Sequence, residues 1–473
     1  MLDFSDLGCV SAALGFFEEI SAIPHGSGNT DKIADYLEGF ARERGLEYFR
    51  DSANNVVIKK PATKGYESRP TVILQGHHDM VAEKAPDSDK DMTKEGLELY
   101  RDGDFLKARG TTLGGDDGVA VAYALALLDG DCYEHPDLEC IFTSDEEIGL
   151  LGAVALDCSD IKGRMLINID SDEEGFFTVG CAGGMRSDIS LKLDTAPSSG
   201  RAYRITLGGF KGGHSGVEID KGRENAVKTL FKLLAELKGI RLCGAEGGNA
   251  DNAIPRECRA VFTSEGDVSE AVKTAYLDVI GAISEIEPDA FYELTECECT
   301  DALTADATEK AIELINALPS GVMAMSEDIE GLVQTSLNLG ILRLAEGKLS
   351  ASFSVRSAKG AEKRALGNRL ANIAADFGAS YSERGEYPAW EYKKDSHLRD
   401  VMVSVYEKLY GKKPTVLTIH AGLECGLFCE KMEGLDCVSI GPDNKDIHTT
   451  EERLSLSSTK RVWEFLLEVL KSV

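Results

Sequence analysis

Four short apolar runs in this chain end in acidic residues or histidine. They lead in turn into His77-His78-Asp79, into Asp145-Glu146-Glu147, into Asp170, and into Gly441 with His448 a few residues further on. Uninterrupted apolar runs of this length predict buried strands. In open α/β sheets, functional side chains gather outside the carboxyl ends of the strands. The pattern therefore predicts an α/β fold with these side chains along one edge of a sheet.

Strand-like and helix-like segments alternate in the first 185 residues and again from residue 386 to the end. Helical periodicity covers residues 9–24, 30–45, 119–128, 396–410 and 458–472, and strand-like runs cover 55–59, 71–77, 139–143, 165–169, 415–419 and 435–440. Residues 83–108 are polar and aperiodic, which predicts a surface excursion. We expect residues 1–185 and 386–473 to form one domain, with a mainly parallel central sheet flanked by helices.

The segment between them, residues 186–385, has a different pattern. Predicted strands at 203–207, 260–263, 337–344 and 348–354 are mixed with predicted helices at 225–237, 268–283, 308–318 and 361–377. Glu346-Gly347 between two strand-like runs predicts a hairpin turn. We expect an inserted α+β domain, and two rounds of strand and helix suggest a duplicated unit.

Length and charge limit the classes of function. A chain of 473 residues exceeds the usual size of one domain. Its net charge of -30 argues against nucleic acid or an anionic membrane as a partner. No apolar run approaches the roughly 18 residues of a membrane span, and the acidic N-terminus lacks a signal-peptide pattern. We expect a cytoplasmic protein whose 12 scattered cysteines are free thiols.

The acids and histidines form one consistent set for a hydrolase that uses two divalent metal ions. Such an enzyme needs a bridging carboxylate, further ligands on each side and a base. His77 and Asp170 would hold one ion, Glu147 and His448 the other, and Asp116 would bridge them. All these ligands are nitrogen or oxygen donors, which suits zinc, manganese or cobalt.

Two neighbouring acids complete this set. Asp79 lies two residues after His77 on the same strand face, so it can orient the imidazole ring. Glu146, beside the ligand Glu147, is the candidate general base for the water that attacks the substrate. Each residue alone is unremarkable, since a single aspartate after a strand is usually a turn former. The hypothesis depends on their joint placement.

A series of motifs then makes the chain resemble a known family. They are Gly-His-x-Asp-Met-Val (76–81), Gly-Thr-Thr-Leu-Gly-Gly-Asp-Asp-Gly (110–118), Asp-Glu-Glu-x-Gly (145–149), Asn-x-Asp-Ser (168–171), Gly-Gly-His-Ser-Gly (212–216), Asn-Ala-Ile-Pro (252–255), His-Ala-Gly-Leu-Glu-Cys-Gly (420–426) and Asp-Ile-His (446–448). From about residue 10 to 470 the chain resembles the dinuclear-metal exopeptidases, and within them most of all the aminoacyl-histidine dipeptidases.

The resemblance implies a fold, an activity and a cofactor. The expected fold is an α/β catalytic domain with an inserted ferredoxin-like lid, single or duplicated, at residues 186–385. The expected activity is metal-dependent hydrolysis of dipeptides with a free N-terminus, of the Xaa-His type including β-alanyl-histidine. The expected cofactors are two divalent ions, zinc first and manganese or cobalt as alternatives. The expected partners are a small peptide substrate and a second copy of the chain in a homodimer.

The resemblance also implies roles for lid residues. His214 would polarise the scissile carbonyl and stabilise the oxyanion, on its own chain's site or on a partner's. Asn252 and Arg356 would contact the carboxylate end of the substrate. Two positions depart from the family pattern, His78 next to His77 and Asp117 next to Asp116.

Three further points stay open from the sequence. The roles of His420 and Glu424, which match a motif beside the site, are not assigned. A tripeptidase or an N-acyl amino acid amidohydrolase would use the same scaffold, so these activities are alternatives. A metal-binding protein that has lost catalysis is a third alternative, which the intact set of Glu146 and ligands opposes.

Overall fold

The computed structural model describes residues 2–130, 132–327, 329 and 331–473. Its chain divides into two compact units. Unit 1 comprises residues 1–180, 392–418 and 423–473, and unit 2 comprises residues 181–391 and 419–422. The short segment 419–422 thus packs with unit 2, although the chain on both sides of it belongs to unit 1.

The helices are distributed over both units. In chain order they are α1 Ser11–Ser21, α2 Asp31–Glu43, α3 Gly115–Asp129, α4 Leu151–Ala155, α5 Ala226–Ala235, α6 Ser269–Gly281, α7 Ala305–Ala317, α8 Gly360–Asp376, α9 His397–Tyr410, α10 Cys425–Lys431 and α11 Leu456–Ser472, with short 3₁₀ helices at Ser5–Val10 and Ile219–Lys221. Among the described residues, none of these helices is long and apolar enough to span a lipid bilayer.

Each of the ten predicted strand runs overlaps a strand, and the structure contains further strands that the sequence did not predict. In chain order they are β1 Glu47–Arg50, β2 Val56–Lys60, β3 Val72–His77, β4 Leu99–Asp102, β5 Phe105–Ala108, β6 Leu138–Thr143, β7 Met165–Asn168, β8 Phe176–Cys181, β9 Gly183–Lys192, β10 Thr195–Pro197, β11 Arg201–Gly208, β12 Gly213–His214, β13 Arg241–Gly247, β14 Ala253–Ile254, β15 Cys258–Ser264, β16 Phe291–Cys297, β17 Asp301–Leu303, β18 Gly321–Met325, β19 Val333–Ala345, β20 Lys348–Ser357, β21 Ser380–Tyr387, β22 Thr415–Ile419, β23 Asp436–Ser439, β24 Asn444–Lys445 and β25 Arg453–Ser455.

Unit 1 is built on an eight-stranded sheet with the order β1-β2-β6-β3-β7-β23-β8-β22. Strand β3 pairs in parallel with β6 and with β7, and β7 pairs in parallel with β23. The pairs β1–β2, β2–β6 and β23–β8 are antiparallel. The predicted α/β class is confirmed, with the parallel pairs β6–β3, β3–β7 and β7–β23 at the centre of a mixed sheet.

The helices of unit 1 cover this sheet according to their apolar patterns. Helix α2 buries Ile33, Ala34, Leu37, Phe40 and Ala41, which recur at helical spacing, and leaves its charged residues outside. Residues 119–128 of α3 are all buried, because this helix is surrounded by other elements of the core. The regular part of α3 begins only after Asp116 and Asp117, whose backbone angles are not helical.

The prediction for residues 83–108 was wrong in part. This segment contains β4 and β5, which join β24 and β25 in a four-stranded sheet. Leu106 and Ala108 are buried. Each strand has only four residues, too few for alternating polarity to stand out from the polar surroundings.

Unit 2 contains a nine-stranded antiparallel sheet, with the path β16-β11-β15-β13-β19-β20-β9-β21 and β18 beside β19. Apolar residues of α5, α6, α7 and α8 form one core with residues from its strands. The predicted hairpin turn lies between β19 and β20, where Glu346 and Gly347 both adopt positive φ.

The prediction that all cysteines are free thiols was wrong for one pair. Cys243 and Cys299, both in unit 2, form a disulfide, while the other ten cysteines are thiols outside this disulfide. The two residues are 56 positions apart and follow no recognisable spacing. Only the folded arrangement of β13 and the loop after β16 brings the two sulfur atoms together.

Candidate metal centre

The four predicted strand ends lie in unit 1 as expected from the sequence. Strand β3 ends at His77, β6 runs into Glu146 and Glu147, and β7 runs into Asp170. His448 follows β23 in a turn where Asp446 and His448 adopt positive φ. Because β6, β3, β7 and β23 are parallel neighbours, their carboxyl ends meet at one edge of the sheet.

Asp116 lies between the two histidines. Its Oδ1 is 3.1 Å from Nε2 of His77, and its Oδ2 is 3.2 Å from Nε2 of His448. The two oxygen atoms of one carboxylate therefore face two different imidazole rings. A carboxylate in this position can bridge two metal ions.

One further acid stands on each side of this bridge. Nε2 of His77 is 3.9 Å from Oδ1 of Asp170, and Nε2 of His448 is 2.8 Å from Oε1 of Glu147. Possible ligand atoms lie within 4.8 Å of one another in the groups His77-Asp116-Asp170 and Asp116-Glu147-His448. The structure thus brings together all five residues predicted as ligands.

Asp79 organises both the histidine and the acidic turn. Nδ1 of His77 donates to the backbone carbonyl of Asp79 at 2.9 Å and lies 3.4 Å from its carboxylate. The ring nitrogen Nε2 is therefore left for the site. The Asp79 carboxylate accepts the backbone N–H of Glu146 at 3.0 Å and of Glu147 at 3.4 Å, and the hydroxyl of Ser27 at 2.7 Å.

The carboxylates at this edge are crowded. Burial, together with the charges of Asp116 and Asp117, raises the pKa of Asp170 well above its usual value. Burial and the charges of Glu424, Glu147 and Asp116 raise the pKa of Glu146 to about 8. In the part of the chain that the structure describes, no lysine or arginine forms an ion pair with Asp116, Glu146, Glu147 or Asp170.

The pKa values of the two histidines are also raised, which for an imidazole favours the charged form. Hydrogen bonds to Asp116 and Glu147 raise the pKa of His448 to about 10. Burial opposes a charge on His77, yet Asp116 and Asp79 raise its pKa well above the usual value. Several acids gathered around two imidazoles attract positive charge, and their nitrogen and oxygen donors fit zinc, manganese or cobalt.

The two departures from the family pattern are buried next to the centre. His78 donates from Nε2 to the backbone carbonyl of Asn54 at 2.9 Å, and burial lowers its pKa to about 4. Asp117 is 2% exposed, and burial raises its pKa well above the usual value. Among the described residues, neither belongs to a group with metal-ligand geometry.

Three polar residues of unit 1 support the centre and received no role from the sequence. Ser27 donates to Asp79. Glu424 is fully buried and accepts hydrogen bonds from Gln75 at 2.6 Å and Thr143 at 2.7 Å. Glu452 accepts backbone N–H groups of the loop before α3. A charged residue within a motif of mostly apolar and small residues was the available signal for Glu424, whereas Glu452 resembles any surface acid in the sequence.

In unit 2, His214 has a defined tautomer. Its Nδ1 accepts the backbone N–H groups of Gly216 and Val217, both at 3.2 Å. The proton of the neutral ring is therefore on Nε2, where it can be donated to another group. Burial and the charge of Arg356 lower the pKa of His214, which keeps the ring neutral.

The other predicted lid residues lie in the same unit. Strand β12 ends at His214 and pairs with β14, and the N–H of Ser215 donates to the carbonyl of Asn252 at 2.8 Å. Arg356 on β20 donates from Nη1 to the hydroxyl of Tyr387 at 3.1 Å. His420 is buried with Nε2 2.7 Å from the hydroxyl of Ser336.

Comparison with known proteins gives a consistent result. The cytosol non-specific dipeptidase of Escherichia coli (strain K12) is 37% identical over 468 residues, which cover 97% of this chain and 96% of the relative. The crystal structure of aminoacylhistidine dipeptidase from Vibrio alginolyticus matches with a TM-score of 0.92 at 35% identity, covering 98% of this chain and 96% of that one.

A more distant match shows the fold alone. The crystal structure of aminopeptidase PepT from Bacillus cereus ATCC 10987 has a TM-score of 0.57 at 16% identity and covers 98% of both chains. The family comparison is more specific, because the profile of peptidase family M20/M25/M40 matches residues 73–472. The chain therefore belongs to peptidase family M20/M25/M40.

Proposed function

We propose that this protein is a metal-dependent dipeptidase that hydrolyses short peptides with a free N-terminus. The observation that carries the proposal is the Asp116 carboxylate, with one oxygen atom facing His77 and the other facing His448. A second acid stands beside each histidine. This is the donor arrangement that two adjacent divalent ions require.

His77 and Asp170 would hold one ion, Glu147 and His448 the other, and Asp116 would join both. When bound, such ions polarise the scissile carbonyl and lower the pKa of a coordinated water toward about 7. Zinc is the proposed ion, with manganese and cobalt as alternatives, since the donors include no thiolate.

Glu146 is the proposed general base. One of its oxygens lies within 4.8 Å of possible ligand atoms of His77 and Glu147, so it would lie close to a water held by the bound ions. The backbone N–H of Glu146 donates to the Asp79 carboxylate, and this bond fixes the position of Glu146 beside Glu147. In this position Glu146 can accept a proton from the water and pass it to the leaving amine.

His214, Asn252 and Arg356 are the proposed substrate-binding residues. The Nε2–H of His214 is suited to donate to the scissile carbonyl, where negative charge develops in the transition state. The guanidinium of Arg356 has the donor geometry for a terminal carboxylate. Asn252 is proposed to assist at the same end of the substrate.

The proposed substrates are dipeptides, including Xaa-His dipeptides such as β-alanyl-histidine. The names of two relatives support this choice, one a non-specific dipeptidase and the other an aminoacylhistidine dipeptidase. The name of the first also supports a location in the cytosol. A homodimer remains our proposal for the oligomeric state.

A substrate panel tests the proposal. Protein stripped with a chelator is supplied with zinc, manganese or cobalt and assayed on glycyl-histidine, β-alanyl-histidine, a tripeptide and an N-acetylated amino acid. We expect metal-dependent cleavage of the dipeptides, and a fall of about 10²–10⁴-fold in kcat for Glu146→Gln. The exposed Glu433 provides the control variant Glu433→Gln, with unchanged activity. Cleavage of only the tripeptide or only the acylated amino acid would contradict the substrate assignment.

A further inference from the structure

We infer that Glu452 is a positioning residue, which holds the bridging Asp116 in place through the backbone of the loop before α3. The inference rests on the proposed function, because it concerns the same metal centre. Among the described residues, Glu452 belongs to no group with metal-ligand geometry. Its side chain is 3% exposed and points into the backbone of residues 113–116.

The contacts of this carboxylate are unusually complete. Oε2 accepts the N–H groups of Leu113 at 2.7 Å and Gly114 at 3.0 Å. Oε1 accepts those of Gly115 at 2.8 Å and Asp116 at 3.4 Å, and also the side-chain amide of Asn444 at 3.1 Å. Four consecutive backbone N–H groups that end at the bridging ligand thus share one acceptor group.

In the part of the chain that the structure describes, the acceptor of these N–H groups is distant in the sequence. The first N–H groups of a helix usually bond to a nearby side chain at the N-cap position. Here residues 113–116 lead into the regular part of α3, with Gly114 in the left-handed region at φ 69°, and Gly114 has no side chain that could accept these N–H groups. Glu452, 336 to 339 residues further along the chain, takes this role.

The same short segment also carries His448. Glu452 follows it by four residues, in a turn closed by bonds from the N–H of Glu452 to Thr449 O at 3.2 Å and from the Thr449 hydroxyl to Asp446 O at 2.7 Å. One hydrogen-bonded turn therefore carries His448 and also holds the loop of Asp116. The spacing between these two ligands, 3.2 Å from nitrogen to oxygen, is set through Glu452.

A matched control exists in the same unit. Glu139, near the amino end of β6, is also 3% exposed and accepts the backbone N–H groups of Lys162 and Gly163 at 2.8 to 3.1 Å. It lies at the opposite end of the strand from Glu146 and Glu147. Loss of either carboxylate removes the same kind of hydrogen bonds, but only Glu452 connects to a ligand.

The test compares Glu452→Gln and Glu139→Gln in the full-length protein. A glutamine amide replaces one acceptor oxygen by a donor, so two of the four N–H groups lose their partner. Zinc and manganese affinity is measured by calorimetric titration of chelator-stripped protein, and melting temperature is recorded for each variant. We expect Glu452→Gln to bind metal about 10–100-fold more weakly, as is typical for residues that orient ligands.

Activity as a function of metal concentration separates positioning from catalysis. For Glu452→Gln, saturating metal should recover most of kcat with an unchanged KM for the dipeptide. For Glu139→Gln, metal affinity should equal that of the wild type although the melting temperature falls. Equal metal affinity of Glu452→Gln and wild type would overturn the inference, and so would equal losses in both variants.

These outcomes are distinct from failure of the proposed function. If the wild type binds metal but cleaves no dipeptide, the proposed function fails while the role of Glu452 is still measured by the titration. If Glu452→Gln is poorly folded, Asn444→Ala provides a milder variant, because it removes one hydrogen bond to the same Oε1. A smaller loss of metal affinity with intact folding is then expected, and no loss would overturn the inference.

Discussion

Buried acidic residues have different surroundings at the two ends of the parallel strands in unit 1. At the amino end of β6, the buried Glu139 has its charge matched by backbone N–H groups of Lys162 and Gly163. At the carboxyl ends, Asp170 and Glu146 have raised pKa values because they are buried among other acids. Hydrogen bonds within the protein offset the charge of Glu139, whereas the charges of Asp170 and Glu146 would be offset by a bound cation.

This difference distinguishes a structural acid from a functional one. A buried carboxylate that accepts two or three hydrogen bonds stabilises the fold, whereas buried acids that repel each other destabilise it. Repulsion between buried acids is tolerated in a folded protein where a bound cation offsets it. The comparison therefore points to the carboxyl edge as the place where divalent ions bind, independently of the motifs.

The largest expected effect comes from removing the bridge. In Asp116→Ala, both halves of the centre lose their shared ligand, so we expect loss of high-affinity metal binding and dipeptidase activity near the uncatalysed rate. Metal content by mass spectrometry and activity at saturating zinc would check this. Retention of two tightly bound ions would show that Asp116 is not the bridge.

The residues of the candidate metal centre could be predicted from the sequence to lie close together, because most of them follow strand ends. The apolar runs before His77, Glu146 and Asp170 needed only the rule that parallel strands end at one edge. The helix at 119–128 was equally clear, since an unbroken run of apolar and small residues of that length is typical of a buried helix. Periodicity and strand order thus determine which ligands meet.

The supporting residues could not be found in this way. Glu452 bonds to backbone groups more than 330 residues away, and backbone N–H groups leave no mark in the sequence. The disulfide between Cys243 and Cys299 and the short strands β4 and β5 were missed for a related reason. Each depends on tertiary packing that brings distant or weakly patterned segments together.

A second prediction concerns the stability of the protein without metal. Asp170→Asn removes one of the crowded acids, so the metal-free protein should be stabilised, by about 1 kcal/mol. Glu139→Gln leaves backbone N–H groups without an acceptor and should destabilise it by about 1–3 kcal/mol. Chemical denaturation of the chelator-stripped wild type and of both variants measures the sign of each change in the free energy of unfolding.

The comparison depends on the two substitutions changing the free energy of unfolding in opposite directions. Asp170→Asn should also weaken metal binding, so the gain in stability should disappear when zinc is added to wild type and variant alike. If Asp170→Asn destabilises the metal-free protein as much as Glu139→Gln does, the two ends of the strands do not differ as described.

The smallest expected effect concerns Ser27, which donates to the Asp79 carboxylate at 2.7 Å. Asp79 keeps its hydrogen bonds from the backbone of Glu146 and Glu147 in Ser27→Ala, so the acidic turn should remain in place. The remaining freedom of the carboxylate should lower kcat about tenfold, at the weak end of the range for residues that orient ligands. Ser27→Thr keeps the hydroxyl and should retain more activity than Ser27→Ala. Steady-state kinetics on one dipeptide at saturating metal would check both variants, and equal activity of Ser27→Ala and wild type would mean that the backbone bonds alone fix Asp79.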